Sequence, residues 1–376
     1  MSSISRNIAG IMVPFLLSAY SVFSIGLIVT DISKAFNVSI SDVLATIPID
    51  FIGGAIGGLA MGYVSDRIGR RPVILISAII FSLGTIFGSF AGNIIEIYII
   101  WFIIGFGVNA DNGMTYPLIV ETLKRSSGSI GGITQSLYFL GFLLDSVTYI
   151  IIHFWRYYLL AIGIISLVFS VGTAILISEK KMKTMRKKIS RDMIPKTVSL
   201  SLVAIGAFMF TVPLLSVIPT FLNEIHVSDV FITIYSIIGF IGFIIAGIIS
   251  DRSGRKFTTI LFTVLGLVFS ALIYFITSSF YLVIILIPVY VFSGFFSFLG
   301  VWVGENYPFE IRASATNIVF FAGRVLGGFS PFIVSLISND LRIGLSVICI
   351  VSALLAIIGA ATIKVKKGYA NVVYSK

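Results

Sequence analysis

The sequence predicts an all-α integral membrane protein, with twelve transmembrane helices in two pseudo-symmetric six-helix bundles. Three observations carry that reading. The 376 residues are 57% hydrophobic and only 11% charged, with a mean hydropathy of +1.08, which leaves too few polar residues to cover a soluble core of this size. Apolar runs of about 20 residues, the length that crosses a hydrocarbon layer of about 30 Å, recur twelve times. Finally, "GYVSDRIGRR" (Gly62 to Arg71) returns 185 residues later as "GIISDRSGRK" (Gly247 to Lys256).

The first six spans run roughly over 8–31, 42–64, 72–92, 94–119, 129–152 and 156–178. The second six run over 197–222, 229–250, 257–277, 280–304, 314–338 and 342–363. Each run is apolar throughout rather than alternating, so helices are expected and barrel strands are not. In span seven, Pro213 and Pro219 each remove a backbone donor and predict a bend or break. The stretch "SEKKMKTMRKKISRDMIPK" (Ser178 to Lys196) divides the chain. It separates an N-terminal bundle, 1–178, from a C-terminal bundle with a short basic tail, 197–376, through a basic linker at 179–196. The linker reads as a solvated connector attracted to anionic lipid headgroups.

Charge orients the chain. Of 26 Lys and Arg residues, 22 fall in segments on the side of the N-terminus, whereas Lys34, Arg156 and Arg342 fall on the other side and Arg324 within a span. Positively charged loops stay inside, so both termini are expected in the cytoplasm of a cell that carries the protein in its plasma membrane. The net charge of +10 is then accounted for by orientation, with no nucleic-acid partner. The lipid bilayer is the expected surrounding and a monomer the expected unit. "MSSISRN" leads into an apolar segment too long for a cleavable signal, so the first span is expected to act as its own insertion signal. Cys349 is the only cysteine, which excludes an intrachain disulfide.

The halves agree in register. Asp66-Arg67-x-Gly69-Arg70-Arg71 matches Asp251-Arg252-x-Gly254-Arg255-Lys256 at an offset of 185, Glu121 matches Glu305 at 184, and Arg156 matches Arg342 at 186. Six spans per half make the repeats parallel, one known transporter architecture. The hairpin Gly62-x-x-x-Asp66-Arg67-x-Gly69-Arg70-Arg71 between spans two and three, with its copy between spans eight and nine, resembles the signature loop of the major facilitator superfamily, and the resemblance covers the whole chain. "GFGVNADNGMTYPLIVE" (Gly105 to Glu121) is similar to a segment of proton-coupled phosphate and sialate symporters. "ENYPFEIRASATN" (Glu305 to Asn317) and "GRVLGGFSPFI" (Gly323 to Ile333) resemble segments of sialate, aromatic-acid and organic-ion carriers. The chain differs from such symporters in having no acidic residue in "SAYSVFS" (Ser18 to Ser24) and a late Pro117.

The resemblance implies alternating access between two halves around one central cavity, with a cytoplasmic gate. Its expected members are Gly62, Asp66, Arg67, Gly69, Arg70, Arg71, Glu121 and Arg125 in the first half, and Gly247, Asp251, Arg252, Gly254, Arg255, Glu305 and Arg312 in the second. Asp66 and the arginines lie where they can pair with each other, with Glu121 and with helix termini. Gly54, Gly58 and Gly62, spaced by four, predict close approach of another helix.

Ionisable groups in hydrocarbon face a cavity or a partner. At 1.5 Å per residue, Asp111 lies about 15 Å from Glu121 and Arg324 about 18 Å from Arg312, so both reach one level from opposite halves. Arg324 offers a fixed fork for a carboxylate or phosphate and reads as the anion anchor; a structural ion pair is the alternative. Asp111 reads as a proton carrier if burial raises its pKa, or as the partner of Arg324, Asn109 or Asn112. Asn109, Tyr116 and Tyr290 are further candidates for the substrate site, as are Tyr235 and Trp302 for its lining. Asp50 and Asp145, about 24 Å from their cytoplasmic ends, are candidates for coupling or an outer gate.

These features predict a secondary active carrier of a small organic anion, a carboxylate-like metabolite moved with protons. A drug or metabolite exporter of the same superfamily is the alternative, though "GGITQSLYFLGFLLD" (Gly131 to Asp145) has no proline of the kind many exporters carry there. An organic-cation carrier is the other. No enzyme activity, metal or cofactor is expected. His153 and His226 are the only histidines, no paired-histidine motif exists, and Gly105-x-Gly107-x-x-Ala110 lies inside a span with no preceding strand.

Overall fold

A computed structural model describes residues 3–123, 127–178, 190–308 and 311–363, with the side chains of 3, 4, 66, 112–114, 116–123 and 312–314 outside that description. Among the described residues the secondary structure is helical, and twelve helical segments are long and apolar enough to cross a membrane. Spans one to six are Ser5–Leu27, Ile40–Ser65, Arg70–Gly88, Ile94–Asp111, Gly128–Ile151 and Trp155–Ala174. Spans seven to twelve are Arg191–Ser216, Val230–Ser253, Arg255–Phe275, Ser279–Glu305, Ala315–Ile337 and Leu341–Thr362.

Burial sorts the spans. Spans one and seven are each 72% buried, whereas spans six and nine are 39% buried. The first pair therefore stands at the centre, and the second presents apolar side chains such as Val168, Phe169, Val264 and Phe275 outward, where hydrocarbon is their natural solvent. The two sets of six spans meet along two seams, span five against span eight and span two against span eleven.

The repeated hairpins share one backbone device. Gly69 (φ 95°, ψ 166°) ends the helix Thr46–Ile68, and Gly254 (φ 88°, ψ 148°) ends Val230–Ser253. Both positive φ values lie where L side chains are strained, and each glycine also precedes the first residue of the next helix. The repeat therefore preserves a reversal that needs glycine. At the opposite end, Arg156 donates to the carbonyl of Ser89 (2.8 Å), and Arg342 to those of Tyr274 (3.2 Å) and Ile276 (2.7 Å). Both cations satisfy the C-terminal carbonyls of the third helix of their half, which gives their 186-residue offset a physical cause.

Some spans are broken. Span seven runs as Ile194–Ser216, interrupts at Val217 and resumes as Ile218–Glu224, with Pro219 in its first turn. Pro213 stays inside the first piece, so the expected break belongs to Pro219 alone. Span ten changes from Ser279–Phe292 to a 3-10 turn, Ser293–Phe296, and then to Leu299–Glu305. These interruptions lie beside the central cavity.

Candidate functional site: a closed central cavity

A cavity of about 40 Å³ lies where the two sets of spans meet, with room for about three water molecules. Nine of its eighteen lining residues are aromatic. Phe15 and Phe23 come from span one, Phe51 from span two, and Tyr138 and Phe139 from span five. Phe208, Phe243, Phe296 and Phe320 come from spans seven, eight, ten and eleven. Phe51 meets Phe208 across the seam at 5.9 Å between centroids, as Phe139 meets Phe243 at 4.8 Å, and within the second set Phe208 packs on Phe296 at 4.7 Å and on Phe320 at 6.0 Å. Six polar residues interrupt this wall: Asp50, Asn109, Gln135, Tyr138, Thr211 and Arg324.

Arg324 reaches the cavity from span eleven, as its height in the span predicts. Its guanidinium lies 5.7 Å from the Phe320 ring. Nη1 stands 3.6 Å from where a Cβ on Gly58 would be, so the lack of a side chain at Gly58 leaves room for the arginine. Asn109 also lines the void, and its Nδ2 donates to the carbonyl of Gly105 (3.3 Å).

Asp111 does not share that site. It is fully buried on span four but absent from the cavity wall, and neither of its carboxylate oxygens has a hydrogen-bond partner among the described residues. The reason is angular. Two residues beyond Asn109 is about 200° around a helix. One turn below Asp111, the Cβ position of Gly107 faces Ser77, Ile80 and Phe81 of span three. The acid that stands with Arg324 on the cavity wall is Asp50 of span two, 2% exposed and with Oδ1 unpartnered among the described residues.

Asp145 turns into the first six spans, where the Tyr158 hydroxyl donates to its Oδ1 (3.0 Å); the neighbouring Ser146 meets Thr233 of span eight instead. Tyr290 is buried off the cavity, donating to the Leu214 carbonyl and stacking on Tyr235 at 5.0 Å. Tyr235 donates to the carbonyl of Val283 (2.9 Å). These tyrosines secure packing between spans, and Trp302 is likewise buried away from the cavity. The side chain of Tyr116 lies outside the described residues. Gln135 and Thr211 were not singled out from sequence. A polar side chain in hydrocarbon is itself the signal that would have found them.

At the end bearing the hairpins, Asp251 joins the two halves. Its carboxylate accepts from the backbone N–H groups of Gly128 (2.7 Å) and Ser129 (2.8 Å) and from the Ser129 hydroxyl (2.6 Å). These are the first residues of the helix Gly128–Ile151, whose leading donors have no intrahelical partner and carry the positive end of the dipole. Arg255 holds Asp251 in place. Nη1 donates to Asp251 (2.7 Å) and to Ser250 (2.7 Å), while Nε and Nη2 fork onto Glu305 at 3.2 and 2.8 Å. The helices are nearly in backbone contact here: a Cβ on Gly247 would meet the Gly128 carbonyl oxygen at 2.4 Å.

The first-half hairpin differs in what can be described. Arg67 donates to the Tyr63 hydroxyl on its own helix and lies 4.4 Å over that ring. The side chains of Asp66, Glu121 and Arg312, and Arg125 as a whole, lie outside the described residues. Arg252 sits exposed beside Asp251. The expected close approach holds at Gly54, whose Cβ position lies 1.8 Å from Nδ2 of Asn109 on span four, and a neighbouring line adds to it. Gly53 and Gly57 meet the Phe102 and Phe106 carbonyls of span four at 2.2 Å, Gly54 and Gly58 face Asn109 and Arg324, and Gly62 has no described atom within 4 Å.

Comparison with known proteins agrees with this architecture. The family model described as Major Facilitator Superfamily matches residues 11–331. A protein of Cupriavidus pinatubonensis named "Probable 4-methylmuconolactone transporter" is 24% identical over 342 residues, covering 84% of this chain and 80% of its own. The sialic acid transporter of Escherichia coli is 22% identical over 349 residues, covering 86% and 85%. Among solved structures, a D-xylose-proton symporter superposes with a TM-score of 0.76 at 17% identity, over 96% of this chain and 97% of that one.

Proposed function

The chain belongs to the Major Facilitator Superfamily, and from that premise we propose that it carries a small organic anion by alternating access, coupled to protons. That it is a multi-pass transporter of small molecules and not an enzyme follows from the family and its relatives. The anion is the finer step. It is supported by Arg324, the one guanidinium on the cavity wall among the described residues, whose charge persists at every working pH. Two relatives are named for an organic acid or a lactone.

Asp50 is the proton-carrying candidate, because among the described residues it is the only carboxylate that lines the cavity. A bound anion at Arg324 and a proton at Asp50 would neutralise both buried charges together, which lowers the cost of crossing hydrocarbon. The proposed working parts are the bundles 1–178 and 197–376, joined by the basic linker, in a monomer of the plasma membrane. The hairpin end faces the cytoplasm, in keeping with the basic residues there. Asp251 on the terminus of span five then acts as the cytoplasmic latch.

Uptake of labelled carboxylates into proteoliposomes should rise with an inward proton gradient. Asp50→Asn should remove that dependence, and Asp111→Asn should retain it. Uptake by the wild type that ignores the gradient refutes coupling, and loss of the dependence in Asp111→Asn alone returns the role to that residue. An organic cation, retained at Asp50, is the competing reading; it predicts that Arg324→Gln improves binding rather than weakening it.

A further inference from the structure

We propose that His153 and Asp229 form a pH-sensitive latch between the halves at the end remote from the hairpins, drawn shut while His153 is protonated and released when it is neutral. This goes beyond the reading of the cavity: it concerns the resting equilibrium of the carrier and applies whatever the cargo.

The chain has two histidines, His153 and His226, and both line one open recess. His153 comes from the first half, in the turn between the helices Gly128–Ile151 and Trp155–Ala174. Asp229 lines the same recess from the second half. It directly precedes the helix Val230–Ser253, yet its side chain makes no capping hydrogen bond among the described residues. The recess therefore sets an imidazole of one half opposite a carboxylate of the other.

Tyr149 organises the first-half side. Its hydroxyl donates to Oδ2 of Asp31 (2.9 Å), and its ring meets the His153 ring edge-on at 6.1 Å between centroids. Lys34 adds a positive charge near Asp31. On the second-half side His226 shares the recess with Asp229, whereas Glu224 faces Asp340 instead. Arg156, close to His153 in sequence, is engaged by the Ser89 carbonyl.

The charge of His153 reaches both carboxyls. Burial raises that of Asp31 above its usual range, while the Tyr149 hydrogen bond, Lys34 and His153 lower it. Burial raises that of Asp229 as well, His153 lowers it, and the charge of Asp31 raises it. An imidazole changes charge between about pH 5 and 8. Protonated, His153 is a cation within reach of two anions from opposite halves, and closure is favoured. Neutral, it leaves Asp31 and Asp229 to repel each other, and separation is favoured. His226 gains its charge over the same range and opposes the latch, because a cation on the Asp229 side repels His153. His153 is exposed, so water and salt hold the effect to that of a surface pair, about threefold in the ratio of open to closed forms.

The test is pulsed electron paramagnetic resonance on the full chain in lipid nanodiscs, with spin labels at Ala35→Cys and Asn339→Cys in a Cys349→Ala background. Both positions are exposed at the end remote from the hairpins, one in each half, and neither belongs to the latch. Between about pH 5.5 and 8 the open-to-closed ratio, read from the long and short distances, should rise about threefold. His153→Asn and Asp229→Asn should each flatten that rise, and His226→Asn should keep it. His153→Lys, which stays a cation, should hold the low-pH ratio at pH about 8. A wild type without the rise, or a rise undiminished in His153→Asn, overturns the latch. So does a His153→Lys protein that opens with pH as the wild type does.

Discussion

Removing the carboxylate of Asp251 should release the hairpin end. Three of the hydrogen bonds that Asp251 accepts cross from one half to the other, to Gly128, Ser129 and the Ser129 hydroxyl. A bond to a charged group nets about 1.5–3 kcal/mol when well shielded. Here the side chain is 27% exposed, and water can replace each partner on opening, so the three together are assigned about 2 kcal/mol. At 1.36 kcal/mol per tenfold, Asp251→Ala should raise the population open at this end about thirtyfold. Ser297 reports it: it is 1% exposed, and its carbonyl lies 3.3 Å from the Cβ position of Gly131 on span five. In a Cys349→Ala, Ser297→Cys background, maleimide labelling should therefore accelerate about thirtyfold with Asp251→Ala, if labelling follows the open population. Asp251→Asn, which keeps an acceptor but no charge, should fall between. A change under about twofold, with melting temperature unchanged, would refute the latch.

Two other perturbations test the closed packing and its far end. Gly247→Ala places a methyl 2.4 Å from the Gly128 carbonyl oxygen; backbone cannot yield cheaply, so a loss of about 1–3 kcal/mol is expected, read as a fall of several degrees in melting temperature. An unchanged melting temperature would mean that the seam is looser than drawn. Glu224, at the end of the helix Ile218–Glu224, has its pKa pushed up to about 6 by burial and by the charge of Asp340. Because the folded value lies above that of the free side chain, folding favours the protonated form: the stabilisation is complete below about pH 4 and is lost as pH rises through about 6. Glu224→Gln should flatten that decline between pH 5 and 7 and raise stability at neutral pH by under about 1 kcal/mol, since water screens a carboxylate that is only partly buried. Parallel melting profiles for the two proteins would contradict it.

What could be read from sequence was whatever depends on one dimension. Span positions follow from the length of apolar runs, and the repeat follows from spacing, so Gly69 and Gly254, with their positive φ values, are legible in the sequence. Height in the membrane is also one-dimensional, and it brought Arg324 to the level of the cavity. It brought Asp111 there equally well, and that failed because azimuth decides which side of span four a residue faces. Asn109 and Asp111 differ by little in height and by more than half a turn in direction. The Gly54–Gly58–Gly62 line had the correct spacing, and Gly54 does meet Asn109 of span four, but the carbonyls of the span-four backbone lie against Gly53 and Gly57, one residue away. The break in span ten at Ser293–Phe296 has no proline within it, while Pro288 sits inside the preceding helix without ending it. Packing across spans, invisible in local sequence, sets such a break.

The two ends of the closed carrier are unlike, and the difference bears on which opens first. At the hairpin end a carboxylate sits on a helix terminus of the opposite half, an attraction. At the other end the described contacts between halves include Ser146 with Thr233, and Gly26 against the Leu215 backbone. There Asp31 of the first half and Asp229 of the second lie within electrostatic reach of each other, with His153 near both. The attraction of Asp229 to His153 of the first half outweighs its repulsion by Asp31. An empty cavity of about 40 Å³ cannot admit a small organic anion without movement of Phe208, Phe296 or Phe320. A ligand shifts such an equilibrium only by its preference for the open form. The cheaper opening is the one that breaks no ion-to-helix contact, so the empty carrier opens away from its hairpins. In the proposed orientation that is the external face.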